Sequence, residues 1–206
     1  MDLSRKVLAV KPSVTLEIAA KAKAMKAQGI DVISLSAGEP DFDTPAFIKD
    51  ACVESLKKGN TKYTPVPGTV ELRQAICRKL KRDQGLDFTP EQIVVGCGAK
   101  HVIFNVLFAA LNPGDEVLIP SPYWLSYPEM VRATGAKVVE VKTVAENNYE
   151  LSAADLEAAV TGKTKLLILN TPSNPTGAIY SRQALEAIAA VAVKHNFMVL
   201  SDEIYE

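Results

Sequence analysis

Four short segments hold residue types that can do chemistry together. Gly96-Cys97-Gly98-Ala99-Lys100 is a run of small residues closed by a lysine. Small residues let an anion approach the free N–H groups of a following helix, where the dipole favours negative charge. The run has no glycine at the third position of the dinucleotide fingerprint, and a tight turn that binds nothing fits it as well. Pro120-Ser121-Pro122-Tyr123-Trp124 ends in the only tryptophan, on a loop stiffened by two prolines. Its indole offers a flat face to a planar ligand, or it is a core or interface aromatic. Asn170-Thr171-Pro172-Ser173-Asn174-Pro175-Thr176-Gly177 is a rigid turn. The Asn174 amide can donate to a phenolate-type oxygen and its bond to Pro175 can be cis, although ordinary turn chemistry gives the same composition. Ser201-Asp202-Glu203-Ile204-Tyr205 sets a carboxylate after an apolar run. Asp202 there needs a cationic or hydrogen-bonding partner; it can salt-bridge a protonated ring nitrogen, or serve as a helix cap or structural ion pair. His101 and His195 suggest no Ser–His–Asp or metal-ligand set, though His101 falls in the first turn after the candidate anion loop.

These segments need elements to hold them. From residue 90 onward short apolar runs at 93–97, 117–119, 137–141, 166–169 and 197–200 alternate with helical stretches at 100–111, 125–134, 153–160 and 182–195. Val, Ile and Leu runs without alternation suit strands buried on both faces. The strand–helix alternation predicts an α/β domain with a mainly parallel sheet and flanking helices. Ligands of such sheets sit at the carboxyl ends of the strands, so all four segments are predicted to converge on one rim. Three helices precede the sheet: one capped by Ser13 and stopped by Gly29, one from Thr44-Pro45 to Gly59, and one from near Thr69 to near Gly85 with Leu72, Ile76 and Leu80 on one face. Asn112-Pro113-Gly114-Asp115 reads as a turn, and there is no internal repeat.

Composition narrows the function. Lys and Arg total 23 against 24 Asp and Glu, a balance that argues against binding nucleic acid by bulk charge. The apolar fraction of 48% can build a sizeable core. No apolar run approaches the ~18 residues of a membrane span, and the segment Met1-Asp2-Leu3-Ser4-Arg5-Lys6 lacks the apolar stretch of a secretory signal. Cys52, Cys77 and Cys97 are odd in number and have no metal spacing. They read as reduced thiols, so a cytoplasmic protein with neither a membrane nor a metal site is expected.

Together the segments resemble the class-I, pyridoxal-phosphate-dependent aminotransferases, and within them the bacterial-type aspartate aminotransferases. The resemblance rests on Lys11-Pro12-Ser13, Ser36-Ala37-Gly38-Glu39-Pro40-Asp41-Phe42, Lys62-Tyr63-Thr64-Pro65, Gly98-Ala99-Lys100, Pro122-Tyr123-Trp124, Asn174-Pro175-Thr176-Gly177 and Ser201-Asp202-Glu203-Ile204-Tyr205-Glu206. These occur in the family's order and spacing along the whole chain. The resemblance implies that Gly98, Ala99 and Lys100 form the cofactor-phosphate loop, and that Trp124 stacks on the pyridine ring. Asn174 and Tyr205 would bond its phenolic oxygen, and Asp202 would pair with its nitrogen. Tyr63 would reach the phosphate in the neighbouring subunit of a homodimer with shared active sites. Gly38, Trp124, Asn174 and Lys11 would contact the amino-acid or 2-oxo-acid substrate. Transamination takes a proton from the carbon bearing the amine, and the ring is a good electron sink only while its nitrogen is protonated. A buried carboxylate such as Asp202 raises that nitrogen's pKa.

The resemblance also implies what should lie elsewhere. The family's Schiff-base lysine and the arginine gripping the substrate α-carboxylate come downstream of its Asp–Glu–Ile–Tyr segment, so no catalytic residue is expected within these 206 positions. Lys100 matches another family position. Residues 1–45 would be an N-terminal arm with part of a small domain, and 46–206 part of the large cofactor-binding domain of an aspartate aminotransferase-like fold. Two strands would be missing between 93–97 and 197–200, a gap of roughly 14 Å at ~4.8 Å per strand. The expectation is a fragment of a longer aminotransferase whose complete form acts on aspartate and 2-oxoglutarate, or a truncated product that is unstable alone. Other readings are a carbon–sulfur lyase or aminocyclopropane-carboxylate-type synthase of the same fold, a non-catalytic remnant that binds a homologous subunit, and, without the resemblance, a nucleotide-binding α/β protein. The segments 62–65 and 122–128 favour the aspartate group.

Overall fold

The structure, a computed structural model, describes residues 4–8, 10, 14–35, 38 and 40–206. In chain order its helices are α1 (Arg5–Leu8), α2 (Val14–Ala27), α3 (Ala46–Lys57), α4 (Val70–Gln84), α5 (Ala99–Ala110), α6 (Ser126–Thr134), α7 (Ala153–Ala159) and α8 (Arg182–His195). The strands are β1 (Glu116–Ser121), β2 (Lys137–Lys142), β3 (Thr164–Asn170) and β4 (Met198–Asp202). The chain forms two compact units, one built on Cys97–Glu206 with the N-terminal residues and one on Pro12–Gly96.

In the first unit all four strands run parallel in the order β2-β1-β3-β4. The uninterrupted apolar runs of β1 and β3 are buried along most of their length, because helices cover both faces of the sheet. Val117, Ile119, Leu166 and Ile168 point to one face, against Ile103 and Leu107 of α5 and Tyr127, Met130 and Val131 of α6. Leu118, Leu167 and Leu169 point to the other, against Leu156 of α7 and Ile188, Val191 and Ala192 of α8. Each fully buried Val, Leu or Ile among them contributes about 1.5–3 kcal/mol. The predicted α/β layering is therefore present. The predicted turn at residues 112–115 is closed by the Asp115 N–H on the Asn112 carbonyl at 3.1 Å.

Two features bear on the extent of the sheet. β4 pairs only with β3 among the described residues, and Met198 and Val199 are 43% and 42% exposed. The apolar run at 93–97, predicted as a strand, is not one. The Val95 N–H donates to the Pro67 carbonyl at 3.0 Å instead, and no ladder forms there among the described residues. An apolar run becomes a strand only when a neighbour accepts its hydrogen bonds.

The second unit contains α2, α3 and α4. Thr69 caps α4 by accepting from the Leu72 N–H at 3.4 Å. Gly85 ends that helix at φ 70°, donating to the carbonyls of Leu80 and Lys81. Both ends fall where the sequence predicts. At α3 the N-cap is Pro45, not Thr44, and no side chain caps it; the Thr44 N–H is taken by the Asp43 carboxylate at 2.9 Å. The predicted Ser13 cap lies outside the described residues. α2, α3 and α4 have no buried residue among those described, and Ile33, Leu35 and Val66 are 87%, 93% and 97% exposed.

Candidate functional site

At the carboxyl ends of the strands, one chain of contacts runs through most of the residues singled out from sequence. It begins where α5 starts. Gly98 lies at φ 84° and ψ 160°, a conformation that glycine alone adopts without strain. No side chain caps the helix start, so its first N–H groups and dipole are left to attract an anion. His101 Nδ1 accepts from the Cys97 N–H at 3.1 Å and folds the loop back on its helix. The Lys100 ammonium sits 4.9 Å from the centre of the Trp124 ring, a cation–π contact.

Trp124 leads to Tyr127. Tyr127 lies one helical turn further on, and its ring meets the indole edge-on, with centroids 5.3 Å apart and planes at 88°. Tyr127 is 2% exposed, and its hydroxyl donates to Asp202 Oδ2 at 2.6 Å. Burial first, then the hydrogen bond and charge of Asp202, push the Tyr127 phenol far above its ordinary pKa. It therefore stays a protonated donor.

Asp202 is 8% exposed, and its second oxygen, Oδ1, accepts from the Ile204 N–H at 3.2 Å. In the β3–β4 register Asp202 stands opposite Asn170. The Asn170 amide uses both ends: Nδ2 donates to the Asp202 main-chain oxygen at 2.9 Å, and Oδ1 accepts from the Asn174 N–H at 2.9 Å. Asn174 Nδ2 then lies 3.5 Å from the Tyr205 hydroxyl. The Asn174–Pro175 bond is cis, as are Ser121–Pro122 and Thr171–Pro172. A small cleft adjoins this chain, and its wall includes Tyr127, Thr143, Tyr149, Asn170, Asn174 and Tyr180.

The arrangement joins an anion seat with a lysine, an aromatic plate, an amide and a phenol as donors, and a buried carboxylate to face a cation. Gly98, Ala99, Lys100, Trp124, Asn174, Asp202 and Tyr205 are all in the first unit, and Ala99 and Trp124 pack against the same core cluster. Tyr63 and Gly38 belong to the second unit, where both are exposed. Lys11 lies outside the described residues. Sequence reasoning passed over Tyr127 and Asn170. Their signals were a tyrosine one turn beyond the lone tryptophan and a polar residue closing a buried strand. Among the described residues no group of three His, Cys, Asp or Glu side chains is placed to hold a metal, and no helix is long and apolar enough to cross a membrane.

Comparison with known proteins gives a consistent picture. The family model described as aminotransferase class I and II matches residues 30–206. The chain is 53% identical over 204 residues to an aspartate aminotransferase of Bacillus sp. (strain YM-2), covering 99% of this chain and 52% of that protein. It is 50% identical over 204 residues to an aspartate/prephenate aminotransferase of Thermus thermophilus, covering 99% of this chain and 53% of that one. Among solved structures, the aspartate aminotransferase from Thermus thermophilus with maleate superimposes with a TM-score of 0.97 at 50% identity, over 100% of this chain and 54% of that one. The chain thus spans about half the length of the relatives it matches.

Proposed function

The chain belongs to the class I and II aminotransferases, and from this premise we propose that it is part of a longer pyridoxal-phosphate enzyme that moves an amino group from aspartate to 2-oxoglutarate. The observation that carries the reading is the continuous contact chain from Lys100 through Trp124, Tyr127, Asp202 and Asn170 to Asn174 and Tyr205.

Pyridoxal phosphate, when bound, supplies an electron sink for the carbon that loses its proton. The donor set suits such a group, since it offers partners for an anion, a flat ring, a phenolic oxygen and a ring cation. Gly98, Ala99 and Lys100 would hold the phosphate at the start of α5, whose first N–H groups no side chain caps. Trp124 gives the ring a face to lie on. Asn174 and Tyr205 donate to the phenolic oxygen. Asp202 would hold a proton on the ring nitrogen by opposite charge, and its burial would keep water from screening that pair. Trp124 and Asn174 would contact the substrate, and the family resemblance adds Gly38 and Lys11.

The lysine that carries the cofactor and shuttles the proton belongs to the remainder of the polypeptide. We read residues 1–45 as an arm with part of a small domain, and 46–206 as part of the cofactor domain. The complete enzyme is a cytoplasmic homodimer in which Tyr63 reaches the partner's cofactor phosphate. The exposed Ile33, Leu35 and Val66 support a covered surface on the second unit, since large apolar patches left in water are uncommon.

The test is to purify the full-length polypeptide with pyridoxal phosphate. The protein should be yellow, should lose its visible band on addition of L-aspartate, and should form oxaloacetate when 2-oxoglutarate is present. A colourless protein, or a band indifferent to amino donors, would overturn the proposal.

A further inference from the structure

We propose that Tyr127 and Asn170 are positioning residues that lock Asp202, Trp124 and Asn174 into one rigid frame, so that plate, carboxylate and amide meet a planar ligand in a single pose. The proposal rests on the reading of this rim as a pyridoxal phosphate site.

The need for such a frame follows from where the three residues sit. Asp202 closes β4, which has a ladder on one side only among the described residues. Trp124 lies just before α6, and Asn174 lies in the turn after β3. Loops and the ends of outer strands open most easily, yet ring binding needs the three groups aligned to a fraction of an ångström.

Two side chains supply the missing constraints. The Tyr127 ring packs edge-on to Trp124 at 5.3 Å while its hydroxyl holds Asp202 Oδ2 at 2.6 Å. A shift of the indole therefore cannot occur independently of the carboxylate. With the Ile204 N–H on Oδ1 at 3.2 Å, both carboxylate oxygens have a donor and the rotamer is set. The Asn170 amide does the same for the other pair. It ties the Asp202 main chain and the Asn174 N–H to one planar group, each at 2.9 Å. Burial and the Asp202 contact keep the Tyr127 phenol protonated, so it remains a donor to Asp202. Neither side chain has to touch the ligand.

The experiment uses the full-length polypeptide carrying Tyr127→Phe or Asn170→Ala. Pyridoxal phosphate is titrated into each apo protein, the visible circular dichroism of the bound cofactor is recorded, and kcat and KM for L-aspartate are measured. Loss of a partner that orients a metal ligand typically costs about 10–100-fold, and an orienting partner of a ring-binding group is expected to act on the same scale. Each variant should therefore bind the cofactor at least about tenfold more weakly and lose most of the visible dichroic band, a sign of a ring no longer held in one pose. kcat should fall about tenfold, with KM for L-aspartate within twofold. Tyr127→Phe deletes one oxygen and keeps the ring in the core, so it decides the matter should Asn170→Ala fail to fold. A Tyr127→Phe protein that retains cofactor affinity, dichroism and kcat within twofold overturns the proposal. A wild-type protein that binds no pyridoxal phosphate instead overturns the reading of the site itself.

Discussion

Asp202, Tyr127 and Gly98 show how single residues gain a role from what surrounds them. An aspartate at the end of an apolar run is ambiguous by itself. Once the Tyr127 hydroxyl and the Ile204 N–H hold its two oxygens, it becomes a fixed, buried acceptor that can face a cation. Asp202→Ala in the full-length protein should lower kcat by about 10²–10³-fold, the scale of losing one preorganised electrostatic group, as read by steady-state transamination. Asp202→Glu should recover part of that loss by restoring the charge. Gly98 is required by its backbone, since open space surrounds the position of a Cβ while φ is +84°. Gly98→Ala should thus strain the start of α5, costing on the order of 1–3 kcal/mol. Titration of pyridoxal phosphate into the full-length variant should show markedly weaker binding. Asp202, Asn174 and Trp124 stand out in sequence because they follow apolar runs at the ends of expected strands, but each is ambiguous alone, and the ring-binding roles expected of them come from the family resemblance. Tyr127 and Asn170 do not stand out, because their roles exist only after the β3–β4 register and the first turn of α6 bring distant positions together.

At the scale of elements, the legible features were those with local causes. α4 begins and ends where Thr69 and Gly85 say it should, because a capping hydroxyl and a left-handed glycine act within a few residues. The failed strand at 93–97 has the opposite origin: its apolar pattern is local, but the partner that would make it a strand is not. The α8 cap offers a direct check. Ser181 accepts from the Ala184 N–H at 3.2 Å, so Ser181→Ala in the full-length polypeptide should cost about 1 kcal/mol, read as a lower urea midpoint. The α7–α8 contact adds a pH dependence. Hydrogen bonds from Lys194 and then His195 hold the Glu157 carboxyl below its ordinary pKa. A depressed carboxyl contributes stability that is complete above its unfolded value, about 4.3, and lost as pH falls through the lower folded value. Glu157→Gln in the full-length polypeptide should therefore lower the melting temperature at neutral pH, and calorimetry should show the gap to wild type closing on acidification below about pH 4. Added salt should shrink it as well, because the cluster faces solvent.

At the scale of the molecule, the parallel sheet, its two covered faces and the convergence of four segments on one rim follow from patterning that needs no knowledge of distant partners. The extent of the sheet does not. β4 leaves Met198 and Val199 partly in water, and the second unit has no buried residue in its three helices. Both observations favour a chain stabilised by further polypeptide. Residues 1–206 expressed alone should accordingly show a broad, non-cooperative melt with exposed apolar surface, whereas a sharp monomeric unfolding transition would refute the point. The claim on which residue, element and molecule converge is that Asp202 keeps a bound pyridine ring cationic. It is tested most directly by nitrogen NMR of the full-length enzyme loaded with pyridoxal phosphate labelled at the ring nitrogen. A protonated nitrogen in the wild type that becomes unprotonated in Asp202→Ala is the predicted result, and the same nitrogen signal in both proteins would contradict it.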